Sequence, residues 1–138
     1  MNVKISENIT KDLNTVYQAI VNKDQLCCYF TSSASANLNE ANRIFWEWAD
    51  FNVKCEITNV ETKENKEIKF NWSSGSSPKT VLIKLTAISD EVTKVDITES
   101  EFEFNQGDVK TMLGQTQGWT NFVCCLKAYL YAGINLRK

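Results

Sequence analysis

DVKTMLGQTQGWTNFVCCLKAYLY, residues 108–131, decides how this chain is read. The stretch holds no proline. Met112, Gln115, Trp119, Phe122, Val123, Leu126, Tyr129 and Leu130 recur at the three/four spacing of one helical face. At about 100° per residue they fall within an arc of roughly 120°. Lys110, Gly114, Gln117, Asn121 and Ala128 fall opposite. The spacing predicts a helix about 36 Å long. It is the longest helical signal in the chain, and it comes after segments that read mostly as strands. A long helix with one apolar stripe needs a sheet to lie in. Whether the seam between them is filled or partly hollow decides what the protein does. The lower half, from Phe122 to Leu130, is apolar and is expected to close the core. The upper half, from Met112 to Trp119, carries Gln115 and Gly118 and is expected to face a ligand.

Upstream of that helix the apolar period is two. Ala34, Ala36 and Leu38 alternate with small polar residues. Ile44, Trp46 and Trp48 follow, then Val53, Cys55 and Ile57, then Ile68, Phe70 and Trp72, then Val81, Ile83 and Leu85. Val95, Ile97 and Glu99 close the series, with Phe102 and Phe104 beyond. Residues 39–42, 61–66 and 89–91 read as turns, and SSGSSPK (residues 73–79), with Pro78, as an exposed loop. Six strands with short connections are most economically paired in sequence, antiparallel. Each has one apolar and one polar face, the pattern of a sheet covered on one side. At the start, Val3, Ile5 and Ile9 mark a further strand. Thr10 is the expected cap of a helix carrying Leu13, Val16, Tyr17 and Ile20. Asp24 starts a second short helix through Leu26, Tyr29 and Phe30.

The 138 residues fit one domain, spanning 1–138. A net charge of −2 speaks against a nucleic-acid partner and leaves no basic patch for anionic membranes. No apolar run is long enough to span a bilayer, and the first residues lack the apolar core of a signal peptide, so a cytoplasmic location without membrane insertion is expected. The five cysteines form two adjacent pairs and a single, without a CxxC spacing, and there is no histidine. No metal-ligand set or cofactor is expected, and the thiols read as reduced core residues.

The order of strand, two short helices, six-stranded meander and long final helix resembles the α+β helix-grip fold of the SRPBCC/START-like superfamily. That group includes START lipid-transfer domains, plant pathogenesis-related ligand binders and bacterial aromatase/cyclases. More narrowly, the chain is similar to the branch named after the activator of heat-shock-protein-90 ATPase. The residues that carry the resemblance are Val16-Tyr17-Gln18-Ala19-Ile20, residues 26–30, Phe45-Trp46-Glu47-Trp48 and Ile68-Lys69-Phe70-Asn71-Trp72. Residues 93–98 and Gly118-Trp119, followed by Phe122, Leu126 and Leu130, complete the set. The resemblance implies a curved antiparallel sheet of about seven strands around the C-terminal helix, often with a cavity between them. The chaperone activators of that branch carry an additional N-terminal domain that 138 residues do not accommodate.

Trp46, Trp48, Phe70, Trp72, Phe102, Met112, Trp119 and Phe122 are the candidate apolar lining of such a cavity. Rings of this kind also fill ordinary cores. Glu99 and Gln115 are the candidate polar members, since each lies in phase with apolar neighbours. A buried amide without a partner costs roughly 1–3 kcal/mol. A carboxyl group in an apolar cleft could act as an acid or base, but strand-end glutamates are commonly solvated. Strand phase puts Glu47 outside. Without histidine no Ser-His or Cys-His pair can form, and no catalytic residue is assigned. Gly118 costs about 1 kcal/mol in a helix interior; it suits either close approach to the sheet or close approach of a ligand. The favoured function is a soluble binding protein for a small apolar or amphipathic ligand, monomeric or weakly dimeric. A chaperone-associated interaction module and a cyclase-like enzyme using a lone carboxyl group are the alternatives.

Overall fold

A computed structural model of the protein describes residues 1–74 and 77–138. The elements run β1 (Val3–Ile9), α1 (Leu13–Val21), α2 (Lys23–Leu26), β2 (Ser33–Ala34), β3 (Arg43–Trp48), β4 (Val53–Lys63), β5 (Glu67–Ser74), β6 (Ser77–Ser89), β7 (Val92–Ser100) and α3 (Gln106–Ala132). A single 3-10 turn, Ala49–Phe51, joins β3 to β4. The seven strands form one antiparallel sheet in the order β1-β7-β6-β5-β4-β3-β2. The meander predicted from the alternation is therefore present, and β1 closes it by pairing with β7, Val3 opposite Glu99.

The alternation decides which face is covered. Val81, Ile83 and Leu85 on β6 and Val95 and Ile97 on β7 are buried, and so are Ile44, Trp46, Ile57, Ile68 and Phe70. Trp119, Phe122, Val123, Cys125 and Leu126 of α3 and Val16, Tyr17, Ala19 and Ile20 of α1 cover them. In β4 the register with β5 shifts between Thr58 and Glu61, where Asn59 takes a φ of 50°. The extra residue brings both Ile57 and Val60 to the covered face and bends the strand. The helix-grip architecture follows: a curved α+β sheet holding one long helix.

Local chemistry moves several boundaries. Asp12, not Thr10, caps α1, because its side chain accepts Thr15 N–H at 3.1 Å while Thr10 N–H donates to Tyr131 Oη at 2.7 Å. Asn22 rather than Asp24 caps α2, accepting Gln25 N–H at 3.0 Å, and Tyr29 and Phe30 lie in the turn beyond it. β2 stops at Ala34, yet Leu38 is still buried, its N–H reaching Val21 O at 2.9 Å. Residues 61–63 extend β4, so the turn is only 64–66, with Asn65 at a φ of 58°.

The largest revision concerns residues 73–79. Ser73 and Ser74 end β5, and Ser77, Pro78 and Lys79 begin β6; Gly75 and Ser76 lie outside the described residues. Lys79 is only 2% exposed. Its position is two residues before Val81, so it points to the covered face with Val81, Ile83 and Leu85. α3 starts earlier than the apolar stripe, at Gln106, because Asn105 Oδ1 accepts Asp108 N–H at 2.8 Å. It ends where Gly133 takes a φ of 64° and reverses the chain, its N–H reaching Tyr129 O at 2.9 Å.

Candidate functional site: an aromatic cleft beside the long helix

An open cleft of about 530 Å³ runs along the upper half of α3. Thr111, Gly114, Gln115, Gly118 and Asn121 form the helix wall. Trp48, Val53, Cys55 and Trp72 form the sheet wall, and Phe51 and Arg137 stand at the rim. Phe30 bridges the walls, with its ring 5.2 Å from Trp48 and 6.2 Å from Trp119. Trp72 and Trp119 lie 5.4 Å apart, tilted by 34°. Gly114 and Asn121 are exposed, as the helical spacing predicts, but they face this cleft.

Of the residues singled out from sequence, Trp48, Trp72, Gln115 and Trp119 meet at the cleft surface. Trp46, Phe70 and Phe122 pack behind it: Trp46 lies 5.4 Å from Phe70 and 6.3 Å from Trp72, and Phe122 lies 5.4 Å from Trp119. The Trp46 indole N–H is buried without a hydrogen-bond partner among the described residues. Phe102 is elsewhere, buried under the Lys79 ammonium, which sits 4.6 Å from its ring centroid. Met112 packs half-buried against the core and does not line the cleft. So the seam is filled behind the tryptophans and hollow in front of them.

Glu99 joins the two walls from beneath. It is fully buried and does not line the cleft. Trp119 Nε1 donates to its Oε1 at 2.8 Å and Trp72 Nε1 to its Oε2 at 3.2 Å. Gln115 Nε2 donates to both oxygens, at 3.0 and 3.3 Å. The carboxyl group thus holds two cleft-lining indoles and one amide in a fixed relation, and solvation at a strand end is not its role.

Below the cleft, Lys79 Nζ lies 3.6 Å from Asp108 Oδ2 and donates to Glu101 O at 2.7 Å. Asp108 also accepts Glu103 N–H at 2.7 Å. This buried pair ties the first turn of α3 to β6. At the rim, Arg137 Nη2 pairs with Asp50 Oδ2 at 2.9 Å, and its guanidinium sits 5.3 Å over the Phe51 ring. The chain reversal at Gly133 is what brings Arg137 back there.

Cys55 is half-buried, and burial pushes its thiol pKa up. It serves as a weakly polar patch of wall. A Cβ built at Gly114 or Gly118 meets nothing within 4 Å. Close helix–sheet packing therefore does not require either glycine, and of the two uses expected for Gly118, only an open cleft remains. Among the described residues no three His, Cys, Asp or Glu side chains converge as a metal site would need, and no helix is long and apolar enough to cross a membrane.

Sequence singles out Gly118 as suited to the approach of a ligand, but several other lining residues escaped sequence reasoning. Gly114, one helical turn before Gly118, was a readable signal of a bare helix face. Val53 and Cys55 alternate in phase with Ile57, which was another. Phe51 and Arg137 carry no pattern, since a turn and a chain reversal place them.

The sequence profile described as "Activator of Hsp90 ATPase homolog 1-like protein" matches residues 12–131. The chain belongs to this family. Its fold recurs in solved structures. Protein SSP2350 from Staphylococcus saprophyticus is 26% identical, with a TM-score of 0.83 over 99% of this chain and 96% of that one. The Aha1 dimer from Colwellia psychrerythraea is 20% identical, with a TM-score of 0.79 over 96% and 98%. DynU16, a protein of the dynemicin biosynthetic locus, is 19% identical, with a TM-score of 0.82; 96% of this chain covers 48% of that one. A search of curated protein sequences found no match. This Hsp90-activator-like family has a fold that in general suits ligand binding, with a long helix gripped across a sheet.

Proposed function

We propose that the protein binds a small apolar or amphipathic ligand in the cleft along the upper half of α3, with Trp48, Trp72, Gln115 and Trp119 in contact with it. The observation that carries this reading is the cleft itself, about 530 Å³ and walled by three tryptophans. That volume lies within the range of roughly 300–1,000 Å³ usual for small-molecule sites. Affinity comes from apolar ligand surface removed from water at about 25 cal/mol per Å². Trp48 and Trp72 keep part of their rings exposed in an otherwise filled core, a costly arrangement unless something covers them. Glu99 supports binding over catalysis: its carboxyl group is spent on holding the walls and is not presented to the cleft.

Native mass spectrometry of the purified protein, with titration of N-phenyl-1-naphthylamine followed by fluorescence, tests the reading. The expected result is retained mass or saturable probe binding that Trp119→Ala weakens at least tenfold. If neither retention nor saturable binding occurs, the carrier reading is wrong. Co-purification with a chaperone in that same experiment would favour an interaction module instead.

A further inference from the structure

The cleft contains one polar side chain whose direction is set from behind. Gln115 Nε2 donates to both Glu99 oxygens, at 3.0 and 3.3 Å. Those oxygens also accept the indole N–H groups of Trp119 and Trp72. An amide has a donor end and an acceptor end. Turning the Gln115 amide over would place its oxygen against the Glu99 oxygens and lose both bonds. The amide is therefore held with nitrogen inward and Oε1 toward the cleft it lines. No described residue donates to that Oε1.

The other polar groups of the walls are exposed, rotatable or already paired. Gln117 and Asn121 are exposed amides that can turn either way, Ser73 carries a hydroxyl that can donate or accept, and Thr111 Oγ1, its hydrogen donated to Gly107 O at 3.0 Å, is left as an acceptor away from the paired tryptophan rings. Arg137 offers N–H groups at the rim, but Asp50 holds it there. Gln115 presents a fixed acceptor beside the Trp72 and Trp119 rings.

We propose that the cleft selects an aromatic ligand bearing a hydroxyl or N–H donor. The ring lies against the tryptophans and the donor meets Gln115 Oε1. Glu99 is a positioning residue that sets this preference without touching the ligand. The inference rests on the cleft being the ligand site, and the test separates the two ideas.

Isothermal titration calorimetry at about pH 7 compares 2-naphthol with 2-methoxynaphthalene, which share a ring system but differ in having the donor. The expected outcome is binding of both, with 2-naphthol tighter by roughly tenfold, the value of one satisfied acceptor. Gln115→Leu should abolish the preference, so that the variant binds 2-naphthol and 2-methoxynaphthalene equally. Glu99→Gln supplies an N–H that can turn the Gln115 amide outward-nitrogen, so the preference should shrink or invert. Near-UV circular dichroism checks that each variant is folded; if Glu99→Gln is not, Gln115→Leu alone decides. Equal affinities in the wild type, or a preference that survives Gln115→Leu, would overturn the polarity inference while leaving the cleft as a site. If the wild type binds neither compound, the cleft reading fails and the inference falls with it.

Discussion

Two single side chains show how this core spends polar groups. Tyr29 is completely buried and donates its hydroxyl to Ala19 O at 2.9 Å. Burial pushes its pKa well above the ordinary tyrosine value, with nearby Tyr129 adding to the rise. The folded state therefore holds that proton more tightly than the unfolded chain. Its contribution is complete below about pH 10, the unfolded value, and is lost as pH rises from there toward the folded value. Tyr29→Phe should cost about 1 kcal/mol at neutral pH. Thermal melts across pH should show the gap between wild type and variant closing above about pH 10. Glu99 is the second case. Glu99→Leu strips the acceptor from the Trp72 and Trp119 indoles and from the Gln115 amide. Urea denaturation should show a loss of roughly 2–4 kcal/mol, since each stranded donor costs about 1–3 kcal/mol where water cannot reach it. A loss under 1 kcal/mol would mean that water enters from the cleft and satisfies them.

At the scale of elements, α3 is pinned by polar bonds at both ends and, through Gln115 and Trp119, to Glu99 between them, while its cleft-facing side is left bare at two glycines. Its first turn is held by Lys79 and Asp108, and its last turns by Tyr129 Oη donating to Gln25 Oε1 at 3.1 Å and Lys127 facing Glu7 at 3.2 Å. Gly114 and Gly118 sit in the bare part. Each glycine weakens an exposed helix by about 0.5–1 kcal/mol relative to alanine, and nothing blocks a methyl group at either site. Gly114→Ala with Gly118→Ala should raise the melting temperature and, by narrowing the cleft, weaken N-phenyl-1-naphthylamine binding. A stabilised variant with unchanged binding would place the ligand elsewhere. Much of this element was legible: the apolar stripe, the long span and the bare upper half all follow from spacing. The strands were legible too, because a period of two survives in nearly every one. What failed were the places where backbone chemistry outranks pattern. Lys79 lay in phase with Val81 and Ile83, but a Ser/Gly/Pro run beside it argued more loudly for a loop. Asp108, four residues before Met112 and on its stripe, was not singled out, because its partner Lys79 is distant along the chain.

Across the molecule, the Lys79–Asp108 pair links sheet to helix through nearly dry surroundings, with exposures of 2% and 5%. Removing one member of such a pair costs about 3–5 kcal/mol, while replacing both is often close to neutral. Lys79→Met should therefore lower stability strongly in urea titrations, and Lys79→Met with Asp108→Asn should recover most of the loss, the amide still accepting Glu103 N–H. Equal losses for single and double variants would show the attraction itself, not desolvation, to dominate. The molecule also explains why a filled core and a site coexist. Trp46, Phe70 and Phe122 complete the packing on one side of the tryptophan layer, which leaves Trp48 and Trp72 partly exposed on the other, with the edge of buried Trp119 beside them. Sequence could place all six rings on covered faces; it could not say which faces had a second layer against them.

The pairing of β1 with β7 has a consequence in time. Val3 meets Glu99 across most of the chain length, and contacts so distant along the chain are slow to form because a long loop must close first. During synthesis the first strand has no partner until the seventh has emerged. Ile9, wholly buried on β1, then joins a sheet whose other strands pair with near neighbours. Stopped-flow measurements should find that Ile9→Val speeds unfolding and barely slows folding, the mark of a strand that arrives late and seals what is already assembled.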